Sequence, residues 1–347
     1  MKHHIFILAL SFILLASCEK VIDVDPNAVN SKMVLNGIPS VNKDLFVYFA
    51  HSRFFLDTSN NHPANDVDMV VTINGTQYRP VKDSNCLYFF DYNVQEGDSL
   101  QISISAEGKQ ITAATRAPRM PQIDLNAAYV NSDTSINLLM VNFTINDPGD
   151  YHNLYCFRLT ERDSGAYYHP YWEFFDTIDT VYTNMFFCYD DALTASNAAA
   201  SEMLYGYPVY TQLLTSDANI NGTSHNTTLF MMLPRDTNEI QPFIHQYSLT
   251  VECVSPERYK YLQTVAAANN MMSLITEPPE VYSNINGALG IFCGTAKQTF
   301  PLITLADGQP VNATNTRAST IGKRSFSLPT VTVPREVVRR ITQNLRK

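Results

Sequence analysis

The sequence predicts a mainly β protein: two antiparallel β-sandwich-like domains, the first immunoglobulin-like, with one or two short helices near the C-terminus. Three observations predict this class. Short runs alternate apolar and polar residues, as Leu100-Gln101-Ile102-Ser103-Ile104-Ser105-Ala106 does, and a period of two turns one strand face toward a core. Turn pairs separate such runs, Asn74-Gly75 and Glu107-Gly108 among them. Ala117-Pro118-Arg119-Met120-Pro121 then breaks the pattern, because two prolines cannot both sit in a central strand.

The predicted parts follow in chain order: a leader over 1–17, a tether over 18–30, a first β domain over 31–118, a second over 119–300 and a basic tail over 301–347. Lys2 precedes an almost wholly apolar run, Ile5 to Leu15. That run is shorter than the roughly 20 residues a spanning helix needs. A charged start, an apolar core and small residues before a cut site describe a secretory signal peptide. Leu15-Ala16-Ser17-Cys18 resembles the bacterial lipobox, in which the cysteine is acylated and becomes the first residue. Acyl chains anchor strongly, since each buried methylene adds roughly 0.8 kcal/mol. Cys18 is therefore the expected lipidation site. The acids Glu19, Asp23 and Asp25 resemble the surface-export signal of Bacteroidota lipoproteins, which favours the extracellular over the periplasmic face of the outer membrane.

In the first domain, Leu45 to Phe49 is a short apolar strand, and Met69 to Ile73 leads through Asn74-Gly75 into Thr76 to Tyr78. An Asn-Gly pair between β-prone runs marks a hairpin, because both residues accept the positive φ of a type I′ turn. Glu107-Gly108 turns the Leu100 to Ala106 strand back into Gln110 to Ala113. Several short strands at this spacing suit an immunoglobulin-sized sandwich. In the second domain, Val141, Phe143 and Ile145 share a strand face before the turn Asp147-Pro148-Gly149, and Asn153 to Thr160 and Tyr247 to Val254 are further strands.

Ser255-Pro256-Glu257 opens the clearest helix: serine caps, proline suits the first position and glutamate the first turn. Tyr259, Leu262, Val265 and Ala266 follow at helical spacing. A second helix is predicted from Pro334, with Val337, Val338, Ile341 and Leu345 on one face. Such a short helix is marginal alone in water, so docking onto the chain's own β structure is expected.

The net charge is −9, yet Arg317 to Lys347 holds eight basic residues and one acid. The tail is either a solvated segment or a patch seeking an acidic partner. The acidic balance excludes a general nucleic-acid binder. Cys86, Cys156, Cys188, Cys253 and Cys293 make no C-x-x-C motif. Export permits disulfides, but an odd number cannot all pair, and free cysteine also packs as a small hydrophobe.

Three stretches carry a family resemblance: Cys18 to Asp25, Ser255 to Leu262 (SPERYKYL), and Glu277 to Gly294 (EPPEVYSNINGALGIFCG). Together they resemble Bacteroidota outer-membrane lipoproteins grouped as "domain of unknown function 4249". The resemblance implies a largely β fold, an outer-membrane setting and association with TonB-dependent transporters. It supplies no catalytic residues. This chain departs from the pattern by continuing past Gly294 to Lys347. Read physically, Asn284 to Gly290 tolerates unusual backbone angles and forms either a structural turn feeding a strand at Leu289 to Phe292 or a binding loop.

No cofactor, metal site or catalytic group is predicted. His152, His169, His225 and His245 show no zinc-binding spacing, and Asp190-Asp191 lacks the calcium-loop pattern. No nucleophile elbow, P-loop or dinucleotide fingerprint occurs. The segment Tyr167 to Tyr189 is dense in aromatics and holds the only tryptophan. It suits a β core or a binding surface, with Tyr168, Tyr171, Trp172 and Phe174 as candidate ligand contacts. The expected function is a non-enzymatic binding or accessory lipoprotein of a TonB-dependent nutrient transport system. A structural or adhesive surface protein is the alternative, and a surface hydrolase stands third.

Overall fold

The computed structural model describes residues 31–312, apart from 54–61, 132–136, 170–173, 196–201, 205–206, 234–243, 269–279 and 307–308. Cys18, the tether, Tyr171, Trp172 and the Pro334–Lys347 segment lie outside the described residues. So do the side chains of Tyr168 and Phe174.

The described chain is mainly β, as the alternation predicts, and its strands form two pairs of sheets. In the first pair, one sheet has the order β19-β1-β2-β6-β5 and the other β4-β3-β7-β8. The strands are β1 (Met33–Gly37), β2 (Asp44–His51), β3 (Asp68–Ile73), β4 (Thr76–Tyr78), β5 (Lys82–Ser84), β6 (Leu87–Asn93), β7 (Ser99–Ala106), β8 (Lys109–Arg116) and β19 (Leu289–Phe292). β7 shows why this sequence makes a sandwich. Leu100, Ile102, Ile104 and Ala106 are buried while Gln101, Ser103 and Ser105 face water. Burying each large side chain contributes about 1.5–3 kcal/mol. Tyr78 and Tyr92 meet across the two sheets with ring centroids 5.0 Å apart. The Asn74-Gly75 and Glu107-Gly108 pairs have the positive φ values of the expected hairpins.

In the second pair, one sheet has the order β14-β15-β13-β17-β10-β9 and the other β12-β11-β18-β20-β21, with β16 also pairing β11. These strands are β9 (Gln122–Asn131), β10 (Asn137–Asn146), β11 (Leu154–His169), β12 (Phe174–Asn184), β13 (Phe186–Cys188), β14 (Glu202–Leu204), β15 (Tyr207–Tyr210), β16 (Leu213–Ser216), β17 (Ser224–Leu233), β18 (Ile244–Val254), β20 (Thr295–Ala306) and β21 (Gln309–Asn312). Phe143 on β10 and Phe157 on β11 touch between the sheets, 5.3 Å apart. Residues 117–121 connect the two pairs without strand structure, as their prolines require.

Two α-helices, α1 (Asp191–Thr194) and α2 (Pro256–Ala268), and a 3-10 turn at Asp217–Asn219 complete the described part. α2 begins where Ser255-Pro256-Glu257 predicts. Its Tyr259 and Leu262 pack over Cys156 on β11, Leu214 on β16 and Val254 at the end of β18. From Leu249 to Val254 β18 is buried on both faces, and there its sequence loses the strict polar alternation of a half-exposed strand. Among the described residues, no helix is long and apolar enough to cross a membrane.

Candidate functional site

The two internal motifs meet at the seam between the sheet pairs. β19 pairs in parallel with β1, Leu35 opposite Gly290, so a segment late in the chain completes the first sheet. Asn284 holds the approach: its Oδ1 accepts from the Phe292 amide at 2.9 Å, and its Nδ2 donates to the Phe292 carbonyl at 2.7 Å. A Cβ on Gly290 would stand 2.1 Å from the Leu35 carbonyl oxygen, and one on Gly294 would stand 2.2 Å from that of Arg116. Only glycine permits backbone contact this close. The Asn284 to Gly290 stretch is therefore a structural turn feeding the last strand of the first sheet.

The helix motif packs against it. The Ser255 amide donates to the Gly294 carbonyl at 3.0 Å, and Thr115 on β8 links both partners. Thr115 Oγ1 donates to Glu257 at 3.1 Å and accepts from the Gly294 amide at 2.8 Å. Beneath α2 lies Glu252, whose side chain is 2% exposed. It accepts from Arg158 at 2.8 Å, from Arg258 Nε at 2.8 Å and from Thr295 at 2.6 Å. Burial acts to raise this carboxyl, but the Arg258 charge, Thr295 and Arg158 outweigh it and hold the pKa below the ordinary value. Burial pushes the Cys293 thiol up to about 11 despite the nearby Arg258 charge. The described family-like residues thus serve the fold of the seam.

Beside this seam opens a cleft of about 610 Å³, bounded by the 114–119 connection, the 150–154 turn and residues 254–257. Its mouth carries both signs of charge. Arg119 lies 3.5 Å from Asp150 with both side chains more than half exposed, and its guanidinium sits 5.4 Å from the Tyr151 ring centroid. Burial first, with Cys253 and nearby acids, pushes the Tyr151 hydroxyl up to about 12. His152 is largely exposed and reaches the buried Asp217 at 3.4 Å. Asp217 in turn accepts from the Asn153 amide at 2.6 Å, which fixes the 150–154 wall. The sequence reading missed this cleft, because its walls are distant in sequence. The proline-rich joint was its only local signal.

A second polar group lies inside the second sheet pair. Tyr155, Phe157 and Leu159 fill the inward positions of β11, and Glu161 and Asp163 follow in the same alternation. Register sets Asp163 opposite His245 and Glu161 opposite Tyr247 on β18. His245 Nδ1 lies 2.8 Å from Asp163 and 3.0 Å from Glu161. Tyr247 donates to Glu161 at 2.7 Å and Asn184 donates to its other oxygen at 2.8 Å. Burial acts to raise Glu161, yet its bonds from His245, Tyr247 and Asn184 hold it below the ordinary value. Burial, with the Glu161 charge adding, raises Asp163 above its own. The three ligand-type atoms lie within 4.8 Å of one another.

The aromatic segment divides. Tyr168 and Phe174 fall near the end of the β11–β12 hairpin, where Tyr168 pairs with Phe175 and His169 with Phe174. Phe186 and Phe187 are core residues, whereas Tyr182 and Tyr189 reach the surface. Cys86, Cys156, Cys188, Cys253 and Cys293 are buried free thiols. Asp190 caps α1 by accepting from the Ala192 amide at 3.0 Å, and it meets His225 at 2.6 Å. That pairing explains Asp190-Asp191 as a helix start.

Comparison with known proteins adds the following. No curated protein matches the chain. Among solved structures, the collagen adhesin (CNA) from S. aureus is 9% identical over 80% of this chain and 96% of its own, with a TM-score of 0.19. The collagen binding domain of Erysipelothrix rhusiopathiae surface protein RspB is 7% identical over 79% and 96%, with a TM-score of 0.17. Likeness at that level carries no argument about this chain. The family model described as "Domain of unknown function (DUF4249)" matches residues 19–300, and the chain belongs to that family.

Proposed function

We propose that this protein is a lipid-anchored outer-membrane lipoprotein, displayed on the cell surface, that binds or hands over a nutrient for a TonB-dependent transporter without catalysing a reaction. The cleft beside the seam carries the reading. It is large enough for a small polar ligand or a short peptide, and exposed Arg119 and Asp150 offer charges of both signs at its mouth. The charge network around Glu252 ties α2 to β18 and β20 next to it, which gives the cleft a firm wall. The lipobox at Cys18 and the acids after it support the address.

The test is affinity capture of tagged protein from gently solubilised outer membranes, in the wild type and in a double variant, Arg119→Glu with Asp150→Lys. Recovery of a transporter with the wild type, reduced at least tenfold with the variant, is expected. Equal recovery from both would remove the cleft from the account. Recovery of no outer-membrane partner would count against the transport reading and favour a structural or adhesive protein.

A further inference from the structure

We infer that Glu161, Asp163 and His245 form a binding site for a divalent first-row metal ion such as Zn²⁺, held between the sheets at the hairpin end of the second pair. The inference is independent of the transport reading and of the cleft.

Placement is the first argument. On β11 the inward positions run Tyr155, Phe157, Leu159, Glu161, Asp163. The first three are buried core, and the same face then presents two carboxylates. A solvated strand would turn its acids outward, as Asp179 does on β12 in its pairing with Arg162. Side-chain exposure here is 10% for Glu161, 22% for Asp163 and 9% for His245. Carboxylates so placed are costly unless they are paired and hydrogen-bonded.

Charge is the second argument. If His245 is protonated, two carboxylates and one imidazolium still leave one negative charge over. A divalent ion with a neutral imidazole leaves none. The groups acting on these carboxylates are His245, Tyr247, Asn184 and one another, and Tyr247 and Asn184 contribute only hydrogen bonds.

Geometry is the third. Ligand atoms each about 2.1 Å from one ion lie about 3.0–3.4 Å apart in octahedral or tetrahedral coordination. Here the imidazole nitrogen stands 2.8 Å and 3.0 Å from the two carboxylate oxygens, and all three ligand-type atoms lie within 4.8 Å of one another, so two of the three separations already approach those around a shared ion. One imidazole and two carboxylates form a nitrogen–oxygen donor set that suits zinc and its neighbours rather than a thiophilic ion. The bonds from Tyr247 and Asn184 orient the Glu161 ligand from behind, as outer-shell partners of metal ligands do. The register between β11 and β18 sets the three residues side by side.

The test uses the full chain in detergent, stripped with a chelator, then titrated with Zn²⁺ by calorimetry and with Co²⁺ by visible absorption. One ion per chain at micromolar affinity or tighter is expected, with a Co²⁺ spectrum showing nitrogen and oxygen ligation. His245→Ala and Asp163→Asn should each weaken binding at least 100-fold, and Asn184→Ala about tenfold. Folding of each variant is checked by circular dichroism. If His245→Ala fails to fold, Asp163→Asn and Asn184→Ala decide. Absence of stoichiometric binding in folded wild type, or unchanged affinity in the folded variants, would overturn the site and leave a buried imidazole hydrogen-bonded to carboxylate.

Discussion

Single side chains decide whether the seam holds. Glu252 is buried, and three donor residues satisfy it, two of them arginines. Removing one partner of such a group leaves a buried charge uncompensated, which typically costs about 3–5 kcal/mol. Arg258→Met should therefore lower stability by an amount of that order, read from the denaturant midpoint. The pH dependence has a defined sign. The folded pKa of Glu252 is depressed, so its contribution is fully present above its unfolded value of about 4.3 and is lost as pH falls through the folded value. With Arg258 gone, burial would dominate and the pKa would rise. Acid unfolding of Arg258→Met should then begin at higher pH than in the wild type. An unchanged acid midpoint by circular dichroism would show that Arg258 does not hold the carboxyl ionised.

Among the elements, β19 is the one whose position carries most weight, since it crosses back to complete the first sheet beside β1. Gly290 has φ +111°, and its Cβ would collide with the Leu35 carbonyl, whereas Gly75 has φ +87° with nothing within 4 Å. Both substitutions to alanine meet the backbone penalty of about 1–2 kcal/mol for a left-handed residue. Only Gly290→Ala also forces strand from strand. It should destabilise clearly more than Gly75→Ala and release the Asn284 clamp, seen as faster amide exchange at Phe292. Equal costs for the two variants would mean that β19 is not held by close approach.

At the scale of the whole molecule, the prediction concerns address. Cys18 ends a lipobox-like run, and two or more acyl chains give far more stable anchoring than one. Cys18→Ala should abolish acylation and leave the leader uncut or the protein mislocalised. Fractionation of that variant with the outer membrane, at the wild-type level, would show that the lipid is not the anchor. The charge asymmetry belongs to this scale as well. The −9 chain carries a strongly basic stretch from Arg317 to Lys347.

The sequence by itself determined the class of the fold and several of its elements. Alternation at Leu100 to Ala106, the Asn74-Gly75 and Glu107-Gly108 turns, and the Ser255-Pro256-Glu257 helix start are local signals. They record how each residue meets its immediate neighbours along one strand or one turn. Tertiary structure alone decided what came together. Residues 289–292 joined β1 by parallel pairing, which no local pattern encodes because a parallel partner lies far along the chain. Glu161 and Asp163 lie some eighty residues from His245, and only the β11–β18 register sets them side by side. Arg119 and Asp150 likewise became one cleft mouth through the meeting of two sheet pairs. Local chemistry is written in neighbouring residues, whereas a site is written in the register and packing that place distant ones within a few ångströms.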